Sequence, residues 1–260
     1  MNSDLNLAKE AAIEAGSIIM KYYKKDYDVH EKSYHNPVTT ADKEADKKIK
    51  EILLNNNSDY GWLSEETIDS KDRLSKKYIW VVDPLDGTKE FIEGVPNFVV
   101  SIALVCDNTS ILGVLYNPVT GEIFSASKDN GSFLNGEPIY CSKKSNLNQM
   151  VILNSRSETN RGLWDSYHKM FKKLKPVGSV AYKLGLTAAG IGDVFATLRP
   201  KNEWDICAGT CIINESGGKV IDLNGNDITF NKEKTLIEPG LIAGEAASVN
   251  KIYLAFSEKI

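Results

Sequence analysis

The sequence predicts helices layered over sheets, an α+β to α/β fold in which an antiparallel first half meets an α/β second half near residue 145. Two observations carry that expectation. From Ile79 to Ser127, four apolar stretches of strand length follow one another across short polar turns. From about residue 150, strand-like and helix-like stretches alternate instead. At 260 residues and 42% hydrophobic content the chain can bury a sizeable core. Residues 1–145 and 146–260 are therefore expected to be two halves of one functional unit.

The elements follow in order. Residues 4–24 repeat apolar side chains at helical spacing (Leu7, Ala11, Ala12, Ala15, Ile18, Ile19), which predicts a helix. A second helix starts near Thr40, with Ala45, Ile49, Ile52 and Leu53 as its inner stripe, and "NNNSDYG" at 55–61 stops it. "YIWVVD", "NFVVSIALV", "SILGVLYN" and "GEIFSAS" read as strands, with "NPVTG" and "LNGEP" as hairpin punctuation. Beyond residue 150 the spacing predicts a strand at "MVILN", a helix around 160–174 and a helix over 180–190. A strand at "DVFATL", a helix over 205–216, strands at "KVID" and "GLIAG", and a final helix over 245–258 complete the pattern.

Composition narrows the function. A net charge of −4 counts against a nucleic-acid surface, which needs a basic excess. No apolar run approaches the roughly 18 residues of a membrane span, so no membrane partner is expected. The stretch "MNSDLNLAKEAAIEAG" has no signal-peptide core, and the cytoplasm is the expected compartment. Cys106, Cys141, Cys207 and Cys211 show no framework spacing; Cys207 and Cys211 share a helix face but read as small buried hydrophobes. With only His30, His35 and His168 available, a zinc or Ser-His-Asp mechanism has little to work with. A metal acting here would be a hard one held by oxygen.

The stretch "WVVDPLDGTKEF" supplies such oxygens. Asp83 ends a buried strand, Pro84 tightens the turn, and Asp86 projects nearby. Gly87 permits a left-handed backbone, and Thr88 starts a short helix whose first amides lack internal partners and suit an anion. Two close carboxylates repel unless a cation lies between them. A cation site and an anion site would then be adjacent, as metal-assisted phosphate chemistry requires. Taken alone, Asp-Pro-x-Asp-Gly is also a good β-turn. Three more stretches add to it: "WLSEET" places Glu65 and Glu66 at the end of an apolar segment, "NEWDICAG" places Asp205 at a helix start, and "VTTADKEAD" does the same for Asp42. Each has an ordinary reading, as solvated acid, helix-dipole partner or cap.

Together, "SEE", "DPLDGT" and "WDICAG" resemble the signatures of the inositol monophosphatase superfamily, lithium-sensitive and magnesium-dependent phosphatases. The resemblance runs from about residue 38 to about 240. It implies a layered αβαβα sandwich of the sugar-phosphatase type and two or three Mg2+ ions. By the same resemblance Glu65, Asp83 and the Leu85 carbonyl are ligands of a first metal, and Asp83, Asp86 and Asp205 of a second. Asp42 and Thr88, with Glu65, form the catalytic set around the attacking water, Asp42 also serving a third, weaker metal, while Gly87 and Thr88 hold the phosphate through their amides. A homodimer is the assembly it implies.

"DGTKEF", "NSRS" and "VGSVAYKL" resemble the 3′(2′),5′-bisphosphate nucleotidase branch. The inositol branch places a ring-reading carboxylate seven residues before the metal-binding aspartate, where Leu198 stands here. The expected substrate is thus a small phosphate monoester, with a nucleotide bisphosphate favoured: adenosine 3′,5′-bisphosphate hydrolysed to AMP and phosphate. Arg156, Ser179, Lys183 and Asp205 are its expected contacts, with Arg199 and Lys201 as further cations for a second phosphate. "ATLRPKNEWD" matches neither branch, which leaves an inositol monophosphatase or a fructose-1,6-bisphosphatase-like sugar phosphatase as the alternative. A catalytically silent regulatory protein is a further alternative, against which the full carboxylate set counts.

Overall fold

The computed structural model describes residues 2–25, 27–33 and 36–257. The chain opens with helix α1 (Asn2–Tyr22), a hairpin of strands β1 (Val29–Ser33) and β2 (Asn36–Thr39), and helix α2 (Thr40–Asn56). Strands β3 (Gly61–Ser64) and β4 (Tyr78–Asp86) run parallel, and helix α3 (Thr88–Ile92) follows them. Strands β5 (Val99–Cys106), β6 (Thr109–Asn117), β7 (Glu122–Ser127), β8 (Ser132–Leu134) and β9 (Glu137–Pro138) extend the sheet antiparallel. Its seven strands lie in sequence order.

The second half is built from β10 (Val151–Ser155), α4 (Arg156–Asn160), β11 (Lys173–Val177), α5 (Val180–Ala188), β12 (Val194–Thr197), β13 (Lys201–Asn202), α6 (Glu203–Glu215), β14 (Gly218–Asp222), β15 (Leu236–Ile237), β16 (Leu241–Glu245) and α7 (Ala246–Ser257). Its five-stranded sheet has the order β11-β10-β12-β16-β14. The first three strands are parallel and the last two antiparallel to their neighbours.

Alternation along the strands fixes the layers. On β4, Trp80 and Val82 pack with Ala11, Ala15, Ile49 and Leu53 of α1 and α2. Ile79 and Val81, on the other face, share a core with Ala181, Leu184, Ile206 and Ile212 of α5 and α6. The second sheet repeats the logic: Leu153, Phe195 and Ala243 face α5 and α6, whereas Ile152, Val194 and Ile242 face Val249 and Ile252 of α7. The result is helix, sheet, helix, sheet, helix, as expected. At the centre, a Cβ at Gly113 would lie 2.3 Å from the Ala208 carbonyl oxygen, so α6 rests directly on β6. Gly113→Ala is expected to cost about 1–3 kcal/mol, because a helix backbone must retreat. A urea titration checks it.

Two expectations change. The helix around 160–174 does not form. Gly162 at φ +73 lies just past α4, a 3-10 turn covers Asp165–Tyr167, and Lys173–Val177 becomes the edge strand β11. The apolar residues suit a helix locally, but parallel pairing with β10 wins, and an edge strand tolerates Pro176 and outward lysines. The final helix ends at Ser257; residue 258 lies outside the described residues. The "LNGEP" turn joins the short strands β8 and β9, whereas the β1–β2 hairpin and the short β13 and β15 strands carried no sequence signal. All four cysteines are free, and Cys141, Cys207 and Cys211 are buried. Among the described residues no helix is long and apolar enough to cross a membrane.

Candidate active site

The site forms where β3 and β4 end beneath the start of α6. On β4, Asp83 faces Ser101 of β5 and Asp86 faces Val99, so three steps on one strand match two on the other. Residues three apart on a regular strand point to opposite faces; the one-residue bulge turns both carboxylates to the same side. Pro84 sits inside the bulge, where its missing N–H is harmless. Asp83 Oδ1 accepts the Leu85 amide at 3.0 Å, which fixes its direction. Gly87 follows at φ +104, and a Cβ there would lie 2.9 Å from the Asn97 carbonyl oxygen, so the turn requires glycine. Parallel pairing brings in Glu65, whose amide donates to the Val82 carbonyl at 3.2 Å.

Two helix starts complete the cluster, each with a capping aspartate in the third position. Asp42 Oδ2 accepts the Thr39 amide at 2.8 Å, while Oδ1 accepts the Thr88 hydroxyl at 2.9 Å. Asp205 Oδ2 accepts the Asn202 amide at 2.9 Å, closing a capping box on α6. A carboxylate has two oxygens, so capping leaves one for the site. Oxygens of Glu65, Asp83 and Asp205 lie within 4.8 Å of one another. Asp86 Oδ2 accepts the Ser179 hydroxyl and the Ala181 amide, both at 2.5 Å, tying the first half of the chain to α5.

The electrostatics are those of a crowded acidic cluster. Burial, then repulsion from Glu65, Asp86 and Asp205, pushes the Asp83 carboxyl well above its usual range. Burial and the repulsion of Asp86 and Glu65 push Asp205 up to about 8. Asp86 rises to about 6 through burial, held lower by its bonds from Ser179 and Ala181 and by the Lys183 charge. Burial also raises Asp42, against the bonds from Thr39 and Thr88. Three carboxylates with converging oxygens and mutual repulsion are a hard, oxygen-rich donor set that a small divalent cation relieves, and magnesium fits it.

These groups line one pocket of about 470 Å3, and every expected site residue except Asp42 is on its wall. Asp42 stands behind Thr88. The expected phosphate contacts are placed unevenly. Arg156 reaches the pocket with its guanidinium bonded to Glu90 (3.0 Å) and Glu93 (2.8 Å). Lys183 is 2% exposed, and its Nζ donates to the carbonyls of Val177 (3.0 Å) and Ser179. Burial lowers the Lys183 ammonium to about 8. Lys201 donates to the carbonyls of Arg199 and Pro200. Arg199 is exposed and makes no side-chain bond among the described residues. Lys89 and Glu90, read in the sequence only as part of the "DGTKEF" signature, also lie on this wall, as do Arg161 and Glu158, which sequence reasoning missed. Lys89 and Arg161 are exposed and unpaired among the described residues, and Glu90 and Glu158 are buried. Lys89 directly follows Thr88 and Arg161 falls five residues after Arg156; their proximity to motif residues was the available signal.

A buried carboxylate cluster suited to a divalent cation, beside the free amides of a helix start and a cationic wall, defines a metal-dependent phosphatase. The comparisons agree. Residues 1–258 match the model of the inositol monophosphatase family. Inositol monophosphatase 3 of Solanum lycopersicum is 34% identical over 88% of this chain and 90% of its own. A fructose-1,6-bisphosphatase/inositol-1-monophosphatase of Thermotoga maritima is 32% identical over 91% of both chains. The crystal structure of the extragenic suppressor protein suhB from Bartonella henselae superposes with a TM-score of 0.87 at 30% identity, covering 98% of each chain. The protein belongs to the inositol monophosphatase family, whose members are in general magnesium-dependent phosphatases.

Proposed function

We propose that this phosphatase removes the 3′-phosphate of adenosine 3′,5′-bisphosphate, giving AMP and phosphate. The carrying observation is the cationic wall. Lys89, Arg161 and Arg199 line the carboxylate pocket, are exposed, and have no acidic partner among the described residues. Unpaired cations facing a substrate pocket suit a second anionic group on the substrate. The apolar Leu198, where the inositol branch has a ring-reading carboxylate, points the same way.

In this reading Glu65, Asp83, Asp86, Asp205 and the Leu85 carbonyl hold the magnesium. When bound, magnesium acidifies water and offsets the charge on the phosphoryl and leaving oxygens. The protein's own contribution is orientation. The Thr88 hydroxyl donates to Asp42, so its lone pairs can accept the proton of the attacking water while its own proton passes to the Asp42 carboxylate. The amides of Gly87 and Thr88 hold the phosphoryl oxygens at the start of α3. Ser179 and Ala181 clamp one oxygen of Asp86 and leave the other to the site. Positioning and electrostatics of this kind carry most of phosphoryl transfer.

The names of the relatives favour a second reading, an inositol or sugar monophosphatase on the same machinery. Phosphate release from adenosine 3′,5′-bisphosphate, inositol 1-phosphate and fructose 1,6-bisphosphate separates the two. The proposal expects the nucleotide to have the highest kcat/KM, and a higher value for inositol 1-phosphate would reverse the assignment while leaving the metal chemistry intact.

A further inference from the structure

We infer that Arg156 reads the second phosphate by exchange, with Glu90 as its fixed anchor and Glu93 as the partner that the phosphate displaces. The inference rests on the bisphosphate reading above. Arg156, at the start of α4 on the pocket wall, pairs through Nη1 with Glu90 of α3 at 3.0 Å and through Nη2 with Glu93, just past the end of α3, at 2.8 Å. The two acids are not equivalent. The Glu90 side chain is 12% exposed and the Glu93 side chain 52%. A Cβ at Gly178 would lie 2.2 Å from the Glu90 Cδ, so this glycine exists at the pocket wall to seat the Glu90 carboxylate.

A half-exposed ion pair such as Arg156–Glu93 is weak, because water screens it. A phosphate presents two charges against one and matches the guanidinium fork as well as a carboxylate does. It therefore takes Nη2 from Glu93, while Glu90, shielded from water, keeps the arginine in place. Ser155 and Ser157 flank Arg156 in the chain, and with Lys89 and Arg161 they line the same pocket. Glu93 thereby acts as a specificity determinant: it occupies the arginine until an anion that outcompetes a carboxylate arrives, and substrates without a second phosphate leave the pair intact.

The test uses two substrates that differ only in the second phosphate, adenosine 3′,5′-bisphosphate and adenosine 3′-phosphate, on the magnesium-loaded enzyme. Glu93→Gln removes the competitor at an exposed position. It is expected to lower KM for the bisphosphate about two- to fivefold, the range of an exposed ion pair, and to leave KM for the monophosphate and both kcat values unchanged. Glu90→Gln is expected to raise KM for the bisphosphate alone. An unchanged KM ratio in Glu93→Gln, with the native enzyme still preferring the bisphosphate, overturns the exchange and spares the functional reading. Equal KM values for the two substrates in the native enzyme overturn both.

Discussion

Asp83→Asn is expected to lower magnesium-dependent phosphate release by about a thousandfold or more while leaving the fold intact. The carboxylate lies at the centre of the cluster, buried, with Glu65, Asp86 and Asp205 around it. An amide is a neutral and weaker ligand, and a lost metal contact removes several kcal/mol of charge stabilisation, each 1.4 kcal/mol being tenfold in rate. The fold does not need the charge. The amide oxygen still accepts the Leu85 N–H, and the metal-free cluster loses one repelling charge. The metal-free variant should melt no lower than the metal-free native protein. Retained turnover in a folded variant would remove Asp83 from the mechanism.

The second large effect is on stability against pH. Asp205 and Asp86 have folded-state values of about 8 and about 6, above their ordinary range near 4. A group whose folded value is raised keeps its proton longer in the native state, so stability is greatest below about 4 for these groups and falls as pH rises through about 6 and about 8. Lys183, lowered to about 8, works in the opposite direction, but only above that pH, where the native state sheds its proton first. The metal-free protein should therefore lose melting temperature from pH 5 to 8. Magnesium should restore it increasingly over the same window, since a cation reverses the preference for the protonated acids. Melting curves with EDTA or with magnesium at several pH values check this. A metal-free melting temperature that rises from pH 5 to 8 would mean that the cluster does not repel as its geometry requires.

The fold was readable wherever local pattern and tertiary demand agree. The alternation of β4 and β5 and the stripes of α1 and α2 were visible because the same side chains that set the period also fill the core. At residues 160–174 the two conflict, and the pairing of Lys173–Val177 with β10 overrides a helical pattern. The acidic motifs could be read because each needs a strand end or a helix start that has its own sequence signal. The bulge between Asp83 and Asp86 could not, because it depends on the register of β5. The pocket wall was the hardest part. A lone arginine or lysine has no periodicity, and whether it is free or engaged depends on partners tens of residues away. Arg156 is bonded to Glu90 and Glu93, and Lys183 to main-chain carbonyls, whereas Arg199, Lys89 and Arg161 stand free among the described residues.

The most direct measurement is kcat/KM for adenosine 3′,5′-bisphosphate and adenosine 3′-phosphate at saturating magnesium and again with EDTA. Unpaired cations in a metal-dependent phosphatase pocket predict magnesium-dependent turnover of both, with the bisphosphate preferred at least tenfold, about 1.4 kcal/mol from one charge-assisted contact. Equal values for the two nucleotides would contradict a second-phosphate site, and turnover that survives EDTA would contradict the metal centre itself.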